Sequence, residues 1–440
     1  MSDACERLLT AARQKLKTDS PCNNPVRHHL MLQCSKMVER SYPVLAPFQQ
    51  GYAMPTISET IAHLAALRKG AAPGAFQGHS RLRELSQFGD NPGALRAHLY
   101  LPPSLSKHPA LVVVLHGCTQ NAAGYDMGAG WSEMADRHGF ALLFPEQQAS
   151  NNPNLCFNWF SKEDSRRGAG EAQSIRNMIA AVVARHNIDA ARIYVTGLSA
   201  GGAMTAVMLA TYPEVFAGGA VVAGLPYGSA YGVPQALERM RGQNMPERSE
   251  LEMLVRQATS HAGPWPTLSV WHGSGDATVA DLNATALLRQ WGALHDIGET
   301  PDLSESTGSH TRRVWLDHHG RPVMEDHRIA GMGHGTPLKT SGKDACGRAG
   351  AFMLEVGVSS SHQICSFWGL LDEHQEARAP EHSPDRARIP EPAEMNGLMV
   401  YEGRRLQPIP PSEPGQSGRT REAGVRKVIE DALRAAGLMP

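Results

Sequence analysis

The sequence predicts a mostly parallel, doubly wound α/β sheet with helices on both faces, and three observations lead there. Short apolar runs rich in β-branched residues recur from about residue 88 to 371. Segments with helical spacing separate them. Several of the runs are continuously apolar rather than alternating, as strands covered on both faces should be. Strands that alternate with helices pair in parallel through right-handed crossovers.

The elements follow in order. "LRAHLYLP" (95–102) alternates, which predicts an edge strand with one wet face. "ALVVVLHG" (110–117) and "FALLFPE" (140–146) are continuous runs and predict interior strands. "ARIYVTG" (191–197), "FAGGAVVAG" (216–224) and "TLSVWHGSGD" (267–276) predict three more, and "MEDHRIAG" a short late one. Between them, "GEAQSIRNMIAAVVARHNID" sets Ile175, Met178, Ile179, Val182 and Val183 at helical spacing.

Outside this α/β domain (88–371) the composition changes. Residues 1–87 read as a helical, partly disordered extension; its best fragment is 54–70, where Thr56 and Glu59 form a capping box. Residues 372–420 form a linker, with eight prolines amid charges over 378–420, too polar to fold alone. Residues 421–440 predict an amphipathic helix with Val425, Val428, Ile429, Ala432, Leu433 and Ala436 on one stripe, either docked on the main domain or binding a partner.

A net charge of −1 over 440 residues supplies no global field for a nucleic acid or an anionic membrane. No run approaches the roughly 18 apolar residues that span a bilayer. The start, "MSDACERLLTAARQKLKTDSP", lacks the apolar core of a secretory signal and favours a cytoplasmic protein, although Met54 heads a cleaner segment. Seven scattered cysteines with no CxxC pair predict neither a disulfide scaffold nor a zinc site.

The chemistry concentrates on "IYVTGLSAGGAM". Gly197-Leu198-Ser199-Ala200-Gly201 matches G-x-S-x-G, between a predicted buried strand and the helical pattern "GAMTAVMLATYPEVF". In that setting a strained strand-to-helix turn presents a serine as nucleophile. A hydroxyl attacks only when a base takes its proton and an acid orients the base, in the chain order serine, acid, histidine for this architecture. Asp276, in the loop after "TLSVWHG", occupies the carboxyl end of a strand, where α/β sheets collect active groups; Asp281 and Asp302 are weaker candidates. Among 20 histidines, His334 lies in the glycine-rich loop "IAGMGHGTPL", whereas His318, His319 and His327 read as surface or packing residues. "LHGCTQN" ends the third strand, the source of one oxyanion donor in α/β-hydrolases. The backbone N–H groups of Cys118 and Ala200 are the candidate pair, with His116 fixing the loop.

"HGCTQNAAGYD", "ADRHGFALLFPEQ", "CFNWF", "GEAQSIRNMI", "IDAARIYVTGLSAGGAM", "WHGSGDATV" and "HGTPL…SSSHQICSFWGL" together resemble the PHB-depolymerase family of esterases. The resemblance implies an α/β-hydrolase fold, the triad Ser199, Asp276 and His334, and hydrolysis of poly(3-hydroxyalkanoate) polymer or oligomers without metal or organic cofactor. Feruloyl, acetylxylan or general short-chain esters are the alternative substrates; a non-catalytic granule-binding protein is the alternative of another class. Trp159 and Phe160 are candidates for the wall of the acyl site, or ordinary core aromatics. Cys118 with Cys156, and Cys346 with Cys365, pair in an exported protein and stay thiols in a cytoplasmic one.

Overall fold

A ten-stranded sheet organises residues 80–371, the part of the chain that the computed structural model describes. The strands are β1 (Arg83–Glu84), β2 (Arg96–Tyr100), β3 (Leu111–Leu115), β4 (Ala141–Glu146), β5 (Ile193–Leu198), β6 (Gly218–Val222), β7 (Thr267–Gly273), β8 (Leu303–Thr307), β9 (His310–Leu316) and β10 (Pro322–Ile329). Their spatial order is β1-β2-β4-β3-β5-β6-β7-β10-β9-β8. From β4 through β10 neighbouring strands are parallel; β1–β2–β4 at one end and β10–β9–β8 at the other are antiparallel.

Helices α1 (Ala122–Ala129), α2 (Trp131–His138), α3 (Gly170–His186), α4 (Ala200–Thr211), α5 (Val233–Met240), α6 (Arg248–Ala258), α7 (Leu282–Leu294) and α8 (Ser360–Phe367) cover the sheet. A two-stranded parallel sheet, β11 (Thr336–Leu338) with β12 (Met353–Glu355), follows the last main strand.

Strand alternation divides the core between two faces. Leu111, Val113 and Leu115 of β3 join one cluster with Ile175, Met178 and Ile179 of α3 and Met204 and Val207 of α4. Val112 and Val114 join the other, with Tyr125 of α1, Trp131 and Met134 of α2 and Ile364 of α8. Both faces of β3 are therefore dry, and each such Val or Leu contributes about 1.5–3 kcal/mol on burial. This explains the unbroken apolar runs. In α3, Ile175, Met178, Ile179 and Val182 are buried, and Val183 packs against them half-buried.

Two expectations need correction. "LRAHLYLP" is not at the edge, because β1 pairs outside β2, with Arg83 opposite Leu99. The sheet thus begins inside the segment assigned to the N-terminal extension. At the other end, β8 and β9 extend the sheet beyond "MEDHRIAG". Every residue of β8 is exposed, so it carries no apolar signature. The helix over 54–70, the proline-rich linker and the helix over 421–440 lie outside the described residues.

Candidate active site

The turn between β5 and α4 is built by close approach. Ser199 has φ 57° and ψ −116°, a conformation that costs roughly 1–3 kcal/mol for a residue with a side chain. Its N–H donates to the Val222 carbonyl at 2.9 Å, and its own carbonyl accepts from Ala203 N–H at 2.8 Å. A Cβ on Gly197 would lie 2.4 Å from the Gly201 carbonyl, and one on Gly201 would lie 2.3 Å from Leu115 O and 2.5 Å from His116 O. The two glycines therefore let the start of α4 press against the chain leaving β3. Ala200 opens α4 and supplies one of the N–H groups that an α-helix leaves without an intrahelical acceptor.

The chain leaving β3 is held from several sides. His116 is buried; its Nδ1–H donates to Gly117 O at 2.8 Å, while Nε2 accepts from Gln147 N–H at 3.1 Å. Burial pushes its pKa down, so the ring is neutral and fully used as a loop brace. Gly117 N–H donates to Gln120 Oε1 at 2.8 Å, and Thr119 N–H donates to Asn154 O at 2.7 Å. Between them, Cys118 N–H has no acceptor among the described residues. Cys118 is disulfide-bonded to Cys156. Cys346 and Cys365, by contrast, are free buried thiols, and the Cys346 sulfur contacts Ser359 Oγ at 3.1 Å, so the second pairing does not form.

Asp276 and His334, 58 residues apart, meet beyond the ends of the neighbouring strands β7 and β10. Asp276 Oδ2 accepts from His334 Nδ1 at 2.7 Å, and Oδ1 accepts from the N–H groups of Thr278 and Val279 at 2.8 Å each. His272 Nε2 donates to Val279 O at 2.8 Å and lies 3.4 Å from Asp276 Oδ2. Burial alone would raise the Asp276 pKa. The His334 charge and the hydrogen bonds from His272 and His334 outweigh it, holding the carboxyl well below the usual range. The loop carrying His334 is laid on the Asp276 turn by backbone bonds, Ser274 N–H to Ile329 O and Gly275 N–H to Met332 O, both 3.0 Å. With Nδ1 committed to the carboxylate, Nε2 is the nitrogen left to take a proton.

The weaker candidates fall elsewhere. Asp281 is exposed before α7, where Arg328 Nη1 lies 3.7 Å away; Asp302 accepts from Leu316 N–H. His318 and His319 are exposed between β9 and β10, and His327 is buried, stacked 3.6 Å from Trp271. Trp159 is buried in the core and Phe160 half-buried, their rings edge to face at 5.6 Å. His272, Gln147 and Glu171, all buried and bonded around these loops, carry no mark in the sequence: Gln147 and Glu171 find their partners in other segments, and His272 finds its own across the turn that follows β7. Among the described residues no group of three or more His, Cys, Asp or Glu is placed to hold a metal ion, and no helix is long and apolar enough to cross a membrane.

The sheet order and the serine turn define an α/β-hydrolase. In fold the chain is similar to an acetyl xylan esterase from Aspergillus awamori, with TM-score 0.56 and 24% identity over 66% of this chain and 99% of that one. The profile of the esterase PHB depolymerase family matches residues 95–308. Poly(3-hydroxyalkanoate) depolymerase C of Paucimonas lemoignei is 44% identical over 292 residues, 66% of this chain and 70% of that protein. Acetylxylan esterase A of Aspergillus oryzae is 31% identical over 58% of this chain and 83% of its own length. Feruloyl esterase B of Talaromyces funiculosus is 28% identical over 59% and 74%. The chain belongs to the esterase PHB depolymerase family and is a carboxylic-ester hydrolase.

Proposed function

We propose that Ser199, Asp276 and His334 hydrolyse esters of 3-hydroxyalkanoic acids, as polymer or oligomer, through an acyl-enzyme. The observations that carry the proposal are the 2.7 Å bond from His334 to a buried, ionised Asp276 and the strained turn that holds Ser199 at the end of β5. Ser199 Oγ attacks the ester carbonyl as His334 Nε2 takes its proton. Asp276 holds the imidazole in the required tautomer and stabilises the imidazolium. The N–H groups of Cys118 and Ala200 receive the developing oxyanion, each contributing on the order of 3 kcal/mol to lowering the barrier. His334 then protonates the departing alkoxide, and water repeats the sequence on the acyl-enzyme.

The substrate assignment rests on the higher identity to the P. lemoignei depolymerase, 44%, than to the acetylxylan and feruloyl esterases, 31% and 28%. Phe160 and Trp159 are the proposed wall of the acyl site. The Cys118–Cys156 disulfide supports an oxidising working compartment, against the expectation drawn from the start of the chain.

The test is a substrate panel, with hydroxybutyrate oligomers, native granules, p-nitrophenyl butyrate and methyl ferulate, run on the parent and Ser199→Ala. The parent should prefer the hydroxybutyrate substrates, and Ser199→Ala should lose nearly all turnover while keeping its unfolding transition. Preference for methyl ferulate would overturn the substrate assignment; substantial turnover by Ser199→Ala would overturn the nucleophile.

A further inference from the structure

Glu171, the second residue of α3, is a fully buried acid outside the proposed triad. Its Oε1 accepts from Gln147 Nε2 at 2.6 Å and from Asn158 Nδ2 at 2.9 Å; its Oε2 accepts from the Asn158 backbone N–H at 2.8 Å. Burial and the nearby Asp164 charge push its pKa up to about 8, against the pull of these donors. An acid in such a place costs folding free energy that an apolar side chain would not. What it touches suggests what it is for.

Both of its partners lead to the chain leaving β3. Gln147 N–H braces His116 Nε2 at 3.1 Å, and the His116 Nδ1–H grips Gly117 O at 2.8 Å. Gly117 C=O and Cys118 N–H belong to one planar peptide, so gripping the carbonyl aims the N–H on the opposite side. The second route runs through the loop that Asn158 anchors. There Cys156 is bonded to Cys118, Gln147 Nε2 donates to Cys156 O at 3.0 Å, and Asn154 O accepts from Thr119 N–H at 2.7 Å. One carboxyl group thus ties together both supports of a single peptide.

We propose that Glu171 is a positioning residue for ester hydrolysis, which orients the Gly117–Cys118 peptide toward the oxyanion by anchoring Gln147 and Asn158 together. The proposal rests on the oxyanion role given to Cys118 above. In Glu171→Gln the new amide group faces donors where an acceptor is needed, so the two supports part.

The experiment measures kcat and KM for p-nitrophenyl butyrate, together with the affinity for an alkylboronic acid that forms a tetrahedral adduct with an active-site serine. Glu171→Gln should lower kcat about 10- to 100-fold with KM changed less than about twofold. Boronate affinity should fall by a similar factor, because that adduct alone needs the aimed N–H. Asn158→Ala leaves the Glu171 carboxyl group and the backbone N–H bond to it but removes the Nδ2 bond, one of the three; it should give part of the same loss, and it carries the test if Glu171→Gln fails to fold. Folded variants with kcat and boronate affinity within about twofold of the parent overturn the proposal. So does a fall in kcat with boronate affinity unchanged. An active Ser199→Ala would instead sink the triad assignment, whereas an inactive Ser199→Ala beside a fully active Glu171→Gln sinks only the positioning role.

Discussion

Gly201→Ala isolates the seam between the serine turn and the chain leaving β3. The added methyl would lie 2.3 Å from Leu115 O and 2.5 Å from His116 O. Relief to an ordinary contact requires roughly 1 Å of separation. Neither obstacle is a flexible side-chain end; both are backbone carbonyls, one at the end of β3, where Leu115 lies opposite Gly197, and one on the residue just after it. All twelve residues of α4 are buried, so the helix has no open side to retreat into. Overpacking of this kind costs about 1–3 kcal/mol. Ser199 and Ala200 lie on one side of the seam and Cys118 on the other, so the same 1 Å should lower kcat about 10²-fold. Urea unfolding and p-nitrophenyl butyrate kinetics read the two effects. Gly202→Ala is the internal comparison; its nearest obstacles are at 3.0 Å, and it should be much milder. A Gly201→Ala enzyme with parental stability and kcat within about threefold would refute the reasoning.

Four further outcomes rest on the residues around the site. Asp276→Asn should lower kcat by up to about 10⁴-fold, since an amide stabilises neither the right tautomer nor the imidazolium. Because folding depresses the Asp276 pKa, its stabilising effect is present above the unfolded value near 3.9 and is lost as pH falls through the folded one. Urea midpoints measured from pH 6 downward should therefore fall less steeply in Asp276→Asn than in the parent; parallel curves would contradict this. Trp159→Ala should cost about 3–5 kcal/mol in unfolding, as a core aromatic does. Phe160→Ala, half-buried, should cost less and should raise KM for p-nitrophenyl butyrate more than for the acetate; equal changes would remove Phe160 from the acyl site.

The legible part of the fold was the part with a periodic signature. β3, β4, β6 and β7 lie within the apolar runs that predict them and β5 overruns its run by one residue, because dry faces on both sides leave few polar positions in these strands. The β8–β9 hairpin was silent for the opposite reason: its first strand is exposed throughout and its second, "HTRRVWL", is half-polar. At the site, Ser199 announces itself because the glycines around it answer a local crowding. Asp276 and His334 were choices among many carboxylates and twenty histidines, made on chain order, loop position and the family resemblance rather than on any local pattern.

By itself, then, the sequence determined which segments are sandwiched strands, where the strained turn falls, and which chemistry that turn serves, since each depends on neighbours within a few residues. Only the tertiary structure decided that Asp276 meets His334 across 58 residues, that Cys118 pairs with Cys156, and that Glu171 ties Gln147 to Asn158. These contacts depend on strand order and on loops packed at the carboxyl ends of the sheet. A hydrogen bond between distant segments leaves no periodicity in the chain: its direction and partner exist only once the backbone has brought both groups to one place.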